Sequence, residues 1–208
     1  MNHFLEWTAD ACCFGLFVYK WLIIIAIVMT WVSADPRNQI VKFVSRITTP
    51  LWVWCENRLP VMLSHFSAYA SILLVIFVQV VIPAEILSLN LLLSEVTDLG
   101  SFISQSGGHI LQGLSIVMQS MLYFCIFILI AWFVLGLVNP ALNNPIVRVI
   151  HFLVDPIISP LQRYLPRTSI DWSTVVAALL FYLLSSVIVS PIGFYGSTLS
   201  FPVSICAY

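Results

Sequence analysis

The sequence predicts an all-α integral membrane protein with four transmembrane helices arranged as two tandem hairpins. Three observations predict it. Of the 208 residues, 61% are hydrophobic and 8% charged, whereas a soluble domain carries about 25% charged residues. Four apolar runs, near 12–33, 67–88, 116–138 and 174–195, each reach the roughly 20 residues that cross a bilayer. A segment also recurs at an offset of 106 (144 − 38 = 106) without a gap. Asn38-Gln39-Ile40-Val41-Lys42 returns as Asn144-Pro145-Ile146-Val147-Arg148, and Pro50, Leu59 and Pro60 return as Pro156, Leu165 and Pro166. A fixed period marks a repeated structural unit. Residues 1–100 are expected to form one repeat and residues 101–208 the other. The runs are continuous, unlike the alternating strands of about 10 residues in a β-barrel.

The first run follows Glu6 and Asp10 with no preceding Lys or Arg. A signal peptide starts positive, so this run is expected to remain as a span. Seven of the eight basic residues fall in two connectors: Arg37, Lys42, Arg46 and Arg58, then Arg148, Arg163 and Arg167. The middle connector, 89–115, carries Glu95 and Asp98 and no base. Positive residues stay cytoplasmic. Both repeat connectors are therefore expected in the cytoplasm and both termini on the opposite, periplasmic side. Two such hairpins make a parallel repeat about an axis along the membrane normal. The formal net charge of −1 gives no global field for nucleic acid, so no direct contact with it is expected.

The two repeat connectors have helical patterning. Ile40, Val41, Phe43, Val44 and Ile47 share one face, against Lys42, Ser45 and Arg46. The second copy sets Ile146, Val147, Val149, Ile150 and Leu153 against Arg148 and His151. Such basic amphipathic helices lie in the headgroup plane. Pro50 and Pro156 are expected to break each connector into two short helices, because proline lacks the N–H and clashes with the preceding turn. The middle connector repeats Leu89, Leu92, Leu93, Val96, Leu99 and Ile103 at helical spacing. It is expected to lie on the outer leaflet or to extend the second span.

Residues Thr30-Trp31, Asp35-Pro36 and Asn38, then Asn144-Pro145-Ile146-Val147-Arg148, Asp155-Pro156, Pro160, Arg163, Leu165-Pro166 and Asp171-Trp172-Ser173, carry a pattern that resembles the YggT family of small integral membrane proteins. The resemblance covers both halves and is most specific over 144–173. The first half departs from it, with Gln39 and Trp54 where the family has Pro and His65 where it has Asp. Gly136-Leu137 replace its Ser-Trp pair in the second half. The resemblance implies a bacterial inner-membrane protein. Bacterial members are associated with osmotic-stress tolerance and with cell-division or shape phenotypes. Plastid relatives are associated with assembly of a b-type cytochrome and with nucleoid distribution. It also implies a working surface on the second connector: Asn144, Pro145, Arg148, Asp155, Pro156, Pro160, Arg163 and Asp171.

Residues that could carry chemistry are few. His3, His65, His109 and His151 all lie outside the apolar runs. Haem inside a bundle needs histidines facing one another at membrane depth, so no cofactor is expected. Lys20 and Glu85 are ionisable residues in or beside spans, which by default suggest function. The plainer reading is that both reach the outer interface, the lysine by its long stem. The sharper reading is an ion pair between Lys20 and Glu85 in neighbouring antiparallel spans. Gln79, Gln119, Ser185, Ser186 and Ser190 suit hydrogen bonds between helices, about 0.6–2 kcal/mol each. Cys12, Cys13 and Cys206 share the outer side, where a disulfide is possible, although interfacial thiols are the simpler expectation. Gly107-Gly108 reads as a turn. No metalloprotease, nucleophile-elbow, phosphate-loop or dinucleotide motif occurs.

Two functional classes follow. The first is a non-enzymatic organising or assembly factor that works through its connectors on the bilayer and a membrane-protein partner, or as a homo-oligomer. The second is an oligomeric channel or transport component for ion or osmolyte balance.

Overall fold

A computed structural model describes residues 3–60, 67–94, 97–138, 145–162 and 172–200. All regular structure among them is helical: α1 His3–Trp31, α2 Gln39–Arg58, α3 Ser67–Leu93, α4 Leu99–Val138, α5 Pro145–Leu161, α6 Trp172–Leu184 and α7 Ser190–Leu199. A π-helical turn, Ser185–Val189, joins α6 to α7 into one rod. The turn lies just before Pro191, which has no N–H to donate and crowds the carbonyl four residues back. The wider turn relieves that crowding, and the Ser190 N–H reaches back to the Ser185 carbonyl.

Four helices are long and apolar enough to cross a membrane: His3–Trp31, Ser67–Leu93, Leu99–Leu137 and Trp172–Leu199. Each covers most or all of one expected run and is longer than it. Helix α1 packs on α3, α3 on α4, and α4 on both α6 and α7. Helix α2 lies against α1 and α3, and α5 against α4 and α6. Helices α2 and α5 therefore define one end of the bundle, and the α3–α4 connection the other.

Caps explain several of the motif residues. Helix α1 ends with Ser33 at φ 53°, and the Ala34 N–H bonds to the Met29 carbonyl. This is a left-handed C-terminal cap in the position usually taken by glycine. Asp35 Oδ1 then accepts the Arg37 N–H at 2.9 Å, and Asn38 Oδ1 accepts the Ile40 N–H at 2.9 Å to cap α2. Pro145 opens α5, a position where its missing N–H loses nothing. Asn144 lies outside the described residues.

Prolines do not divide the connectors as expected. Helix α2 runs through Pro50 and α5 runs through Pro156 and Pro160. Interior proline costs about 3 kcal/mol, but the packing face is continuous on both sides of it. Val44, Thr48 and Cys55 are buried along α2, with Leu51 packed on the Ile23, Ile27 and Val75 cluster. Val154 and Ile158 do the same in α5 against Ile128, Leu129 and Ala177. The amphipathic face of α2 is also narrower than its pattern. Ile40 and Phe43 are 64% and 61% exposed, because the spans cover only the Val44 side.

The repeat extends into the core. At the offset of 106, buried Ile23 matches buried Leu129, Thr48 matches Val154, Ser71 matches Ala177, and Gln79 matches Ser185. Each half thus has its own three-helix cluster in the same register. The middle connector is not one helix. Helix α3 stops at Leu93 and α4 starts at Leu99, after Asp98. Glu95 and Val96 lie outside the described residues.

Candidate functional site

Helices α3, α4, α6 and α7 together contain one acid, Glu85, one histidine, His109, and no Asp, Lys or Arg. These two residues meet. Glu85 Oε1 lies 3.2 Å from His109 Nδ1, and Glu85 Oε2 accepts the Ser106 hydroxyl at 2.7 Å. Both carboxylate oxygens are thereby engaged. An ionised carboxylate only accepts, so the arrangement fits a carboxylate facing an Nδ1–H. Ser106 and His109 are three apart on α4, hence on one face. Glu85 sits two residues after buried Pro83, where proline interrupts the α3 ladder. The His109 side chain is 4% exposed, and its Nε2 is buried without a hydrogen-bond partner among the described residues.

The pair lies well inside both helices. Glu85 is about 12 Å along α3 from Leu93 and His109 about 15 Å along α4 from Leu99, at about 1.5 Å per residue. His109 therefore stands inside an apolar helix rather than beyond one. The reason is the length of α4, which begins well before the apolar run its sequence suggests. Gly107-Gly108 is likewise helical, not a turn. A Cβ on Gly108 would lie 2.7 Å from the Gly196 carbonyl, and one on Gly196 would lie 2.9 Å from the Gly108 carbonyl. Here α4 and α7 touch backbone to backbone, the close approach that small residues permit between membrane helices. Ser115 adds a hydrogen bond to the Val189 carbonyl at 3.0 Å, on the π-helical turn.

The expected Lys20–Glu85 pair is not among the ion pairs of the described residues, which are His3–Glu6, His109–Glu85 and His151–Asp155. Lys20 Nζ instead lies 5.1 Å from the Phe17 ring centroid. The acid is satisfied from α4, a helix of the other half, so it has no need of a lysine on α1. His109 was visible in the sequence only as one histidine among four. The available signal was that it and Glu85 are the only such charges in four helices.

Of the second-connector residues, Asp155 is exposed and lies 3.8 Å from His151 Nδ1. The His151 ring meets Trp132 edge-on at 5.1 Å. Pro156 lies with Phe152, Leu153, Ile157 and Ser159 along a shallow groove, and Pro160 is exposed. Arg148 is on α5. Arg163 and Asp171 lie outside the described residues. On α2, Arg58 stacks on Trp54 at 4.9 Å, and burial pushes the Cys55 thiol up from its ordinary pKa. Cys12, Cys55 and Cys125 are free thiols, whereas Cys13 is disulfide-bonded, against the simpler expectation of a free thiol there.

No curated protein and no solved structure matches this chain. A family model does, twice in tandem: the CCB3/YggT model matches residues 7–87 and 111–192. Those two segments are the two halves that the offset of 106 relates, each with its pair of long helices and the shorter helix between them. With most of its length matched, this multi-pass chain belongs to the CCB3/YggT family.

Proposed function

We propose that this protein is a non-enzymatic organising or assembly factor of the bacterial inner membrane, and that it acts through the end of the bundle formed by α2 and α5. In this reading the two hairpins form a parallel repeat, with α2 and α5 cytoplasmic and both termini periplasmic. The observation that carries it is the unused apolar surface of the connectors. Helix α2 packs one face on its hairpin yet leaves Ile40, Phe43 and Trp54 exposed beside exposed Lys42 and Arg46. Helix α5 leaves Phe152 exposed beside Asp155. A fold that only orients its spans needs one apolar face per connector; the second is free for a membrane-protein partner at the inner leaflet. Basic residues there gain about 1 kcal/mol each from anionic lipid.

A second reading, an oligomeric transport or channel component for ion or osmolyte balance, draws support from the Glu85–His109 pair, since ionisable residues at membrane depth often mark pathways. Complementation of a deletion strain separates the two. Arg148→Glu with Arg163→Glu, or Phe43→Ser with Trp54→Ser, is expected to abolish function, while Glu85→Gln with His109→Gln retains it at equal protein levels. The reverse pattern favours transport. A periplasm-dependent reporter fused at the C-terminus is expected to be active; activity of a cytoplasm-dependent reporter there overturns the orientation.

A further inference from the structure

We propose that copies of this protein join head to tail in the membrane, the α1 flank of one copy packing on the α6–α7 flank of the next as α4 packs on α3 within the chain. The occupant of both flanks is a second copy. These flanks are sides of the bundle, apart from the α2–α5 end.

The repeat is open. The long helices pack in the order α1, α3, α4 and then α6–α7, and among the described residues α1 touches neither α6 nor α7. It meets the second half only at the connector helix α5. Both α1 and α4 lead to the α2–α5 end, so the halves are like units in like orientation. They meet through unlike faces, α3 of the first on α4 of the second, which makes the contact heterologous. A series of two such units leaves each face of that contact uncovered once. The α4-type face is left on α1, and the α3-type face on α6–α7.

The inner contact defines these faces. Tyr69 meets Phe124 with ring centroids 6.3 Å apart, and Glu85 meets His109. A Cβ on Gly113 would lie 2.8 Å from Val81 and 3.2 Å from Phe77. The offset of 106 carries Tyr69, Phe77, Val81 and Glu85 to Val175, Leu183, Val187 and Pro191 (175 − 69 = 106), and all of these are exposed. It carries His109, Gly113 and Phe124 back to His3, Trp7 and Val18 (124 − 106 = 18), which are exposed too. On α1 the face is continuous: Trp7, Phe14, Val18, Trp21, Ile25 and Val28 are exposed at helical spacing, opposite buried Ile23 and Ile27.

Side chains on a membrane helix are apolar whether they meet lipid or protein, so exposure alone does not distinguish these faces. What distinguishes them is that the chain already packs one example of each against the other. Two substitutions make the outer contact weaker than the inner one. Pro191 and His3 stand where Glu85 and His109 pair, and Trp7 stands where Gly113 lets the helices close. Association then rests on van der Waals packing, the usual force between membrane helices.

The test is photo-crosslinking of the full-length protein in native membranes, with a benzophenone amino acid in place of Val18. The offset sets Val18 opposite Val175 of the neighbouring copy, as Phe124 is set opposite Tyr69. The expected product has the mass of two chains, and its joined peptide lies within α6–α7. The same probe in place of Val175 is expected to join α1. In place of Tyr123, on the exposed surface of α4, it is expected to give severalfold less of the two-chain product. Two-chain product no more abundant than from Tyr123, joining of α1 to α1, or adducts with lipid or another protein alone each overturn the proposal. Either probe decides by itself, so poor folding of one variant leaves the other to give the answer.

Discussion

Ile23 and Leu129 stand 106 positions apart (129 − 23 = 106), and both are 0% exposed. Each is the centre of a cluster built from two long helices and the connector helix between them: Ile23 with Ile27, Val75 and Leu51, Leu129 with Ile128, Val154 and Ile158. The repeat is thus a repeat of packing. Truncation should act locally and alike in the two halves. Ile23→Ala and Leu129→Ala are each expected to cost about 2–5 kcal/mol, with near-additive losses in the double variant because the clusters share no residue. Unfolding in detergent, followed by helix content, measures both; a strongly non-additive double variant would join the clusters into one core.

Close approach of α4 and α7 makes a second expectation. Gly108→Ala and Gly196→Ala both push a methyl into the facing backbone at under 3 Å, and each should destabilise by about 1–3 kcal/mol. Gly107→Ala and Gly136→Ala meet nothing within 4 Å. Both lie inside α4 and should be neutral or stabilising by up to about 1 kcal/mol. Thermal shifts in one detergent compare the four, and equal behaviour of Gly107 and Gly108 would deny the contact.

Ser33 offers a stabilising change. Its φ of 53° is strained for any residue with a Cβ, by about 1–2 kcal/mol. Ser33→Gly should therefore raise stability by roughly 0.5–1 kcal/mol, the gain being reduced by the extra freedom of glycine in the unfolded chain. The same thermal measurement reads it as an upward shift.

Asp98 supplies a pH dependence. Its carboxylate accepts the Ser101 hydroxyl at 2.5 Å. That bond, with backbone N–H groups of the first α4 turn, holds its pKa below the ordinary carboxylate value. A depressed folded pKa means stability that is present above the unfolded value, about 3.9, and lost as pH falls through the folded one. Asp98→Ala should accordingly be less stable than the parent at pH 7 and equal to it well below pH 3.9. A deficit that persists in acid would assign the effect to something other than the carboxylate.

The spans and the repeat were legible because hydrophobic length and sequence period are properties of the chain itself. Four runs of about 20 apolar residues have few alternatives in a bilayer, and an ungapped offset of 106 requires two like units. The caps at Asp35 and Asn38 were legible as motif positions, their purpose only as hydrogen bonds. Tertiary packing decided the rest. It carried α2 and α5 through their prolines, because a continuous packed face outweighs one missing hydrogen bond. It turned Gly108 from a turn signal into a helix contact, because α7 lies against it. It gave Glu85 to His109 instead of Lys20, because the partner of a charge within a helix bundle depends on which helices are neighbours, and the local sequence of α3 contains no record of α4.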